Sequence, residues 1–388
     1  MRRFAIFCAL LGSAAAAAQP PPPPMPTIGA VRPIEPPDAP LPPESATASI
    51  TKFSFLAYGD HRCACTIEQP WEDQSAHAAV VEAMVERIKA RAATSNPIRF
   101  VLSSGDAMYR GQDAERWGVY TPIVEQLTRT AGVPYFFSVG NHDVTGMPPG
   151  DPGRAVGLHH TLTVMSKLIP PEGSPRRLNG YPTYAFGYGN SFFIAFDSNI
   201  AADPIQLAWV TAQLEHLDRN RYPNVFAFFH HPGFSAGPHN GVQPATPDGQ
   251  RPPDRVEPGT LAIRTLYLPI FRKHHVRMTI AGHDHLFDHW VEHYVDGGKE
   301  YRRDDVVTGG GGAPIYVYSG EPDLVPYLRS GMVQQVRLAH VARPGPKVTD
   351  NPHHFVVVDV DGDKLSLEVV SVGGPLAPYN GRSRTELN

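Results

Sequence analysis

"FSFLAYGD" (residues 53–60) is an apolar run that ends in a Gly-Asp pair. Short, non-alternating runs that are rich in aromatic and β-branched residues are typical of strands buried on both faces of a sheet. Similar runs occur at residues 98–104, 133–139, 225–229 and 276–281. Together they predict the central strands of a layered protein.

Helical patterns separate these apolar runs along the chain. They occupy residues 75–93, 204–218 and 260–274. Strand pairs are predicted at 183–197 and 354–370, and long loops rich in Pro and Gly at 145–181 and 235–258. Because strands and helices alternate, the sequence predicts an α/β fold in which helices cover the sheet faces.

Each apolar run leads directly into a short polar cluster. The clusters are Gly59-Asp60, Gly105-Asp106-Ala107-Met108-Tyr109, Gly140-Asn141-His142-Asp143, His230-His231-Pro232 and Gly282-His283-Asp284-His285. A glycine before Asp or Asn lets the backbone turn sharply. Ligands of layered α/β proteins bind at the carboxyl ends of strands, so the five clusters are expected to converge on one site. Carboxylates and imidazoles at such a site suggest a pair of metal ions.

The order of these clusters resembles the calcineurin-like metallophosphoesterase superfamily, and within it the purple acid phosphatase branch. The resemblance extends over about residues 53–370. Many superfamily members begin with Asp-x-His, in which the His is a ligand, whereas Arg62 stands at that position here. Tyr109 is present where the purple acid phosphatase branch has a tyrosine ligand, which would replace the missing imidazole. The resemblance implies a four-layer α-β-β-α sandwich of two mixed sheets flanked by helices.

The resemblance also implies a set of ligands for each of two metal ions. The first ion, expected to be Fe(III), would be held by Asp60, Asp106, Tyr109 and His285. The second ion, expected to be Fe(II), Zn or Mn, would be held by Asp106, Asn141, His230 and His283. Asp106 would therefore bridge the two ions, while His61 and the cysteines would not be ligands.

Two further histidines fit the same resemblance. His142 would hydrogen-bond the substrate phosphate. His239, within "HHPGFSAGPHN" (residues 230–240), would be a general acid that protonates the leaving group. A solvated loop residue is the alternative for His239. Arg62 has two interpretations, a phosphate contact or a salt bridge, and "TGGGGAP" (residues 308–314) is interpreted as a strand connection near the site.

The predicted activity is hydrolysis of a phosphomonoester, in which a metal-bound hydroxide attacks phosphorus in line. The substrate would be a small-molecule or peptide phosphoester, and the sequence leaves its identity and the oligomeric state open. There are two alternatives: a phosphodiesterase on the same scaffold, and a non-catalytic envelope protein braced by metal ions. The chain has 34 basic and 38 acidic residues and no long basic run, so no nucleic-acid partner is expected.

The N-terminus predicts export from the cytosol. Arg2 and Arg3, an apolar segment at residues 4–11 and three alanines at 16–18 are typical of a secretory signal, with a short buried helix as the alternative. We therefore expect a signal peptide at residues 1–18 and a periplasmic or secreted protein that has no transmembrane segment after cleavage.

The rest of the mature chain is predicted to be a tether and one domain. Residues 19–48 are rich in proline and are predicted to be a disordered tether, with a partner-binding proline motif as the alternative. Residues 49–388 are predicted to form one metallophosphoesterase domain. Once Cys8 is removed with the signal, Cys63 and Cys65 remain, and a disulfide, free thiols and metal binding are all open for them.

Overall fold

The central strands of the chain are arranged in two mixed sheets. The structure, a computed structural model, describes residues 30–67, 69–144, 152–239, 256–330 and 335–387. The strands are β1 Lys52–Tyr58, β2 Ile98–Ser103, β3 Tyr135–Phe137, β4 Tyr184–Tyr188, β5 Ser191–Ala195, β6 Asn224–Phe228, β7 Met278–Ala281, β8 Phe287–Asp296, β9 Lys299–Thr308, β10 Arg337–Ala342, β11 His353–Asp361, β12 Lys364–Val372 and β13 Arg384–Glu386. The five apolar runs of the sequence form β1, β2, β3, β6 and β7, so their prediction as strands is confirmed.

The strand order brings the polar clusters to a common edge. The first sheet has six strands in the order β13-β12-β11-β1-β2-β3, and the second has seven in the order β10-β8-β9-β7-β6-β5-β4. In the first sheet, β1 is parallel to β2 and β2 to β3; in the second, β6 is parallel to β7. Because parallel neighbours end at the same edge, the loops after these strands lie side by side.

Aromatic side chains fill the space between the two sheets. The ring of Phe55 on β1 lies 5.2 Å from that of Phe193 and 5.2 Å from that of Phe226, both on the second sheet. Phe100 on β2 also meets Phe193, at 5.0 Å between ring centroids. Each buried Phe contributes about 1.5–3 kcal/mol through loss of water-exposed apolar surface. These contacts hold the sheets face to face and fix the distance between their loops.

Helices cover the outer faces of both sheets. They are α1 Ser75–Arg91, α2 Ala114–Glu125, α3 Pro152–Met165, α4 Pro204–Glu215, α5 Pro258–Ala262, α6 Leu268–Lys273 and α7 Val325–Arg329. Helix α1 buries Val80, Met84 and Ile88 at four-residue spacing against β11 and β12. Helix α6 packs against β8. The expected fold, two mixed sheets flanked by helices, is confirmed. Over the described ranges, we find no helix with the length and apolar character that a membrane crossing requires.

Helix α3 lies within the long loop predicted at residues 145–181. Its sequence, "PGRAVGLHHTLTVM", contains two glycines, two histidines and two threonines, so its apolar spacing is weak. The helix nevertheless buries Val156, His160 and Val164. Tertiary packing therefore decides this helix, which local propensity does not indicate.

The predicted disordered tether at residues 19–48 is wrong for residues 30–48, which pack on the domain. Ile34 is 1% exposed, and its backbone N–H donates to the carbonyl of Val164 at 2.9 Å. The carboxylate of Glu44 accepts hydrogen bonds from Tyr222 at 2.8 Å and from Arg176 at 3.0 Å. The proline-rich segment contains only a short 3₁₀ helix, Glu44–Thr47, but its prolines do not prevent a buried side chain or an ion pair. The predicted signal peptide (residues 1–18) and residues 19–29 lie outside the described residues.

Candidate metal centre

The predicted ligands of the second metal ion lie together between the two sheets. His230 Nε2 is 3.4 Å from Asp106 Oδ1 and 2.9 Å from Asn141 Oδ1. The same nitrogen is 3.1 Å from His283 Nδ1. Asp106 and Asn141 follow strands of the first sheet, whereas His230 and His283 follow strands of the second. The two sheets therefore contribute two ligands each.

Three of the four predicted ligands of the first ion adjoin this group. His285 Nε2 lies 3.5 Å from Asp60 Oδ1. Ligand atoms of Asp60, Asp106 and His230 all lie within 4.8 Å of one another, which joins the two sets. Tyr109 lies at the rim of the site, 38% exposed. Its role as a ligand stays a prediction.

Backbone carbonyl groups fix the tautomers of two of the histidines. Because a carbonyl oxygen only accepts, Ser104 O receives Nδ1–H of His230 at 3.1 Å, and Pro314 O receives Nδ1–H of His285 at 2.7 Å. Burial lowers the pKa of His230 to about 3 and that of His285 well below its ordinary value. Both imidazoles are therefore neutral at physiological pH, and their Nε2 lone pairs face the other ligands, as metal ligands require.

A carboxylate fixes the tautomer of His283. Glu257 Oε2 lies 2.7 Å from His283 Nε2, so that nitrogen carries the proton and Nδ1 carries the lone pair. The lone pairs of His230 Nε2 and His283 Nδ1 then face each other and the oxygens of Asn141 and Asp106. Acceptors packed against acceptors repel unless a cation lies between them.

The carboxylates of the site show the same need for a cation. Burial and the charge of Asp106 raise the pKa of Asp60 well above its ordinary value. A metal ion would relieve this crowding by neutralising both carboxylates. Carboxylate, amide and imidazole ligands together suit Fe, Zn or Mn. The residues of the site therefore fit the two metal ions that the sequence predicts.

Backbone strain occurs at three of the ligands. Asp60, Asp106 and His283 have φ values of 60°, 57° and 72°, in the left-handed region that costs roughly 1–3 kcal/mol for a residue with a side chain. Two of the neighbouring positions have to be glycine because a predicted ligand side chain lies very close to the backbone there. A Cβ atom at Gly140 would lie 2.1 Å from Asp106 Oδ1, and one at Gly282 would lie 2.2 Å from Asp60 Oδ2. These two glycines are therefore required by the space that the ligands occupy.

Two buried aspartates of the polar clusters hold the loops rather than metal. Asp143 accepts backbone N–H groups of Asp106 at 2.9 Å and of Gly140 at 2.8 Å. Asp284 accepts the backbone N–H of His239 at 2.9 Å. Both carboxylates thus order the loops that carry site residues. The sequence motifs contain both aspartates but do not reveal these roles.

His142 and His239 both lie beside the predicted ligands. The backbone N–H of His142 donates to Asp106 Oδ1 at 3.0 Å, and its ring stacks on Tyr109 at 5.0 Å. The ring of His239 lies 4.3 Å from that of His283, and its Nδ1 is 2.9 Å from Glu257 Oε1. The structure places His239 in the site, not on a solvated loop.

Carboxylates around His239 favour its protonated form. Although burial alone would lower the pKa of His239, the hydrogen bond to Glu257 and the charge of Asp284 raise it above the ordinary value. Glu257 itself lies outside every motif of the sequence, directly before helix α5, and no local pattern indicates it. It contacts both His239 and His283, and is the main residue of the site that the sequence does not reveal.

The segment at residues 308–314 supports the first ligand set. The backbone N–H of Ala313 donates to the carbonyl of Asp60 at 2.8 Å, and Pro314 orients His285 as described above. Tyr316, just beyond it, stacks on His285 at 4.0 Å between ring centroids. The interpretation of this segment as a strand connection near the site is confirmed.

The side chains of His61, Cys63 and Cys65 lie outside the groups of predicted ligands described above. His61 is fully buried, and its ring lies 4.1 Å from that of Tyr58 in the core. Cys63 and Cys65 form a disulfide with Cα atoms 5.1 Å apart. Of the three possibilities for the cysteines, the structure therefore shows the disulfide.

Replacing Glu257 tests its role in orienting His283. We expect Glu257→Ala to weaken binding of the second metal ion about 10–100-fold, since hydrogen-bond partners of metal-bound histidines contribute that much. Glu257→Gln keeps an acceptor oxygen and is expected to lose less. The measurement is a competition titration against a metal chelator.

The control for this titration is Glu321→Gln, because Glu321 contacts His340 away from the ligands. Unchanged metal affinity in Glu257→Ala would show that His283 is oriented without the carboxylate.

Comparison with solved structures supports the fold. A purple acid phosphatase from yellow lupin (Lupinus luteus) seeds aligns with a TM-score of 0.56 at 16% identity, covering 85% of this chain and 53% of that one. This chain thus spans about half the length of the lupin protein. A Plasmodium protein, GAP50, described as the anchor in the inner membrane complex, aligns with a TM-score of 0.50 at 13% identity, covering 87% and 89% of the two chains.

Comparison at the level of sequence supplies the family. None of the curated proteins compared with the chain matches it. The sequence profile described as calcineurin-like phosphoesterase matches residues 54–287, which include every predicted metal ligand. The matched range begins in β1 and ends in β8, so it contains the five strands whose loops form the metal centre. The chain belongs to the calcineurin-like phosphoesterase family.

Proposed function

We propose that the protein is a phosphomonoesterase of the purple acid phosphatase type that works with two metal ions. Its family is one of metal-dependent phosphoester hydrolases. The observation that carries the proposal is the set of opposed acceptor atoms on His230, His283, Asn141 and Asp106, which bound cations would satisfy. The substrate would be a small-molecule or peptide phosphoester.

The proposed chemistry divides between the metal ions and the chain. Two bound ions would supply a hydroxide nucleophile at neutral pH and neutralise charge on the phosphate oxygens. Asp60, Tyr109 and His285 would hold the first ion, Fe(III), and Asp106 would be shared with the second, Fe(II), Zn or Mn. His142, whose backbone N–H donates to Asp106 Oδ1, would hydrogen-bond a phosphate oxygen. The residues thereby fix the phosphoryl group for in-line attack.

A proton is needed by the departing oxygen, and His239 is proposed as its donor. The backbone of His239 is held by Asp284 and its Nδ1 by Glu257, so Nε2 remains for the leaving group. Glu257 would stabilise the protonated imidazole before transfer. This pairing of a carboxylate with a histidine supports a general-acid role.

We also propose that the protein works outside the cytosol, in the periplasm or as a secreted protein. The Cys63–Cys65 disulfide supports this, because disulfides form and persist in oxidising compartments. The predicted signal at residues 1–18 leads to the same compartment.

The proposed activity is tested with purified mature protein on an aryl phosphomonoester and the matching diester. We expect monoester hydrolysis that disappears in Asp106→Asn together with bound metal, since this carboxylate is shared between the two ions. Asp361→Asn, which removes an exposed carboxylate far from the ligands in sequence and structure, is the control.

Three outcomes would contradict the proposal. Diester hydrolysis alone would identify a phosphodiesterase. Metal-loaded protein without activity on either ester would favour the metal-braced, non-catalytic alternative. Full activity in Asp106→Asn would exclude the proposed centre.

Tyr109 has a spectroscopic test of its own. If its phenolate binds Fe(III), the oxidised protein will absorb visible light through phenolate-to-iron charge transfer, and Tyr109→Phe will lose this band while keeping iron. Tyr301→Phe, whose ring stacks on His275 instead, is expected to keep the band. Colourless protein with a full iron content would exclude Tyr109 as a ligand.

The role of His239 is tested by varying the leaving group. We expect His239→Gln to lower kcat for an alkyl phosphate by about 10²–10⁴-fold, the usual contribution of a general acid. An aryl phosphate with a good leaving group should be much less affected, because its oxygen departs without a proton. His216→Gln, on an exposed helix end, is the control. Equal losses on both substrates would argue against proton donation.

A further inference from the structure

Arg62 is fixed beside the metal centre by its backbone. Its N–H donates to the carbonyl of Asp106 at 3.2 Å, and the N–H of His61 donates to the same oxygen at 3.0 Å. The disulfide between Cys63 and Cys65 directly follows. The start of the Arg62 side chain is therefore held in place on both sides.

The guanidinium of Arg62 is buried but poorly satisfied. Its side chain is only 10% exposed. Nη1 donates to the carbonyl of Cys63 at 3.4 Å, whereas Nε has no hydrogen-bond partner within the described part of the chain. Asp106 Oδ2 lies 3.8 Å from Nε, which is beyond hydrogen-bond distance. A buried cationic donor in this state is costly, so an additional anionic partner is expected.

The surroundings of Arg62 indicate where that partner would bind. The guanidinium lies over the ring of Tyr109, 5.2 Å from its centroid, and Tyr109 in turn stacks on His142. Contact with the face of the Tyr109 ring does not provide a hydrogen-bond acceptor for the N–H groups of the guanidinium. Arg62 and His142 thus both pack against the ring of Tyr109, and both adjoin Asp106.

A second arginine at the same ring shows the contrast. Arg116 also faces Tyr109, at 6.0 Å; its Nε likewise has no hydrogen-bond partner among the described residues, but it lies 2.9 Å from the carboxylate of Asp113. Its charge is therefore already paired, and it also contacts the sulfur of Cys65. Of these two cations, Arg62 is the one that lies beside Asp106, with its Nε 3.8 Å from Oδ2, and it has no closer carboxylate among the described residues.

We propose that Arg62 binds the phosphoryl group of the substrate and favours phosphomonoesters over phosphodiesters; this rests on the proposed function. A guanidinium donates two parallel hydrogen bonds to a pair of phosphate oxygens, which matches its geometry better than a single ammonium does. A monoester dianion has three non-bridging oxygens and about two negative charges at neutral pH. A diester has two such oxygens and one charge, so Arg62 gains less from it.

The experiment compares wild type, Arg62→Gln and Arg62→Lys, with Arg116→Gln as the matched control. Three quantities are measured on metal-loaded protein: bound metal, the Kd of inorganic phosphate by calorimetry, and kcat/KM for the aryl monoester and its diester. We expect Arg62→Gln to keep both metal ions and to weaken phosphate binding by about tenfold or more. Monoester kcat/KM should fall about 10²-fold, the usual effect of losing one donor to the transition state.

The remaining measurements test the selectivity between the monoester and the diester. Diester kcat/KM should fall much less than monoester kcat/KM in Arg62→Gln, so that selectivity shifts toward the diester. Arg62→Lys, which keeps the charge but not the fork, should be intermediate. Arg116→Gln should match wild type in phosphate affinity and in selectivity.

Several results would overturn this role. Unchanged phosphate affinity in Arg62→Gln, or equal losses on both esters, would exclude it. Loss of metal ions in both Arg62 variants would assign Arg62 to holding the centre instead. If the wild-type protein hydrolyses neither ester, the proposed function fails, but the Kd of inorganic phosphate still tests the role of Arg62. Weaker phosphate binding in Arg62→Gln would support an anion site at Arg62, whereas a wild type that binds no phosphate would exclude such a site.

Discussion

The lone pairs of His230 and His283 face each other and the Asp106 carboxylate at the boundary between the two sheets, and the organisation of the site depends on this opposition. Each histidine is locked by a hydrogen bond on its other nitrogen, so neither can rotate to relieve the repulsion without losing a partner. A cation resolves the conflict. Because the predicted ligands come from both sheets, a bound metal ion would also bridge the two halves of the fold.

The groups that support the predicted ligands are mostly carboxylates outside the predicted ligand set. Asp143 holds the backbone next to Asp106, Asp284 holds the loop of His239, and Glu257 connects His239 with His283. Such groups set the position of a ligand within a few tenths of an ångström, and they also raise its basicity. The left-handed backbone at Asp106 is held by Asp143, which accepts its N–H, and that at Asp60 by backbone hydrogen bonds to Gly105 and Ala313.

Fold alone does not decide activity here. The solved structures that share this architecture include both a phosphatase and a protein described as an anchor. Function therefore has to be argued from the site. In this chain the site combines opposed acceptors with Arg62, a buried cation whose Nε has no hydrogen-bond partner in the described part of the chain. A purely structural metal site has no use for such a cation, whereas a site that binds a phosphate dianion does.

The amino-acid sequence by itself determined the parts of this protein that rest on local pattern. Uniformly apolar runs identified β1, β2, β3, β6 and β7, because strands buried on both faces have no polar side. The clusters after them contained seven predicted metal ligands, and the structure brings six of these together because parallel strands end at one edge of a sheet. The seventh predicted ligand, Tyr109, lies at the rim of the site, where the position of a side chain depends on what it binds.

Only the tertiary structure decided the features that depend on distant partners. The hairpin of β8 and β9 has no apolar pattern because its buried face carries charges: Arg303 lies 2.9 Å from Glu292 and 3.1 Å from Asp305. The contacts of Glu257 and the burial of Ile34 likewise depend on residues that are distant in the sequence. The local pattern of apolar and polar residues shows which faces of a segment are exposed to water. Burial of a charge or of an isolated apolar residue, by contrast, is possible only where the fold supplies its partner.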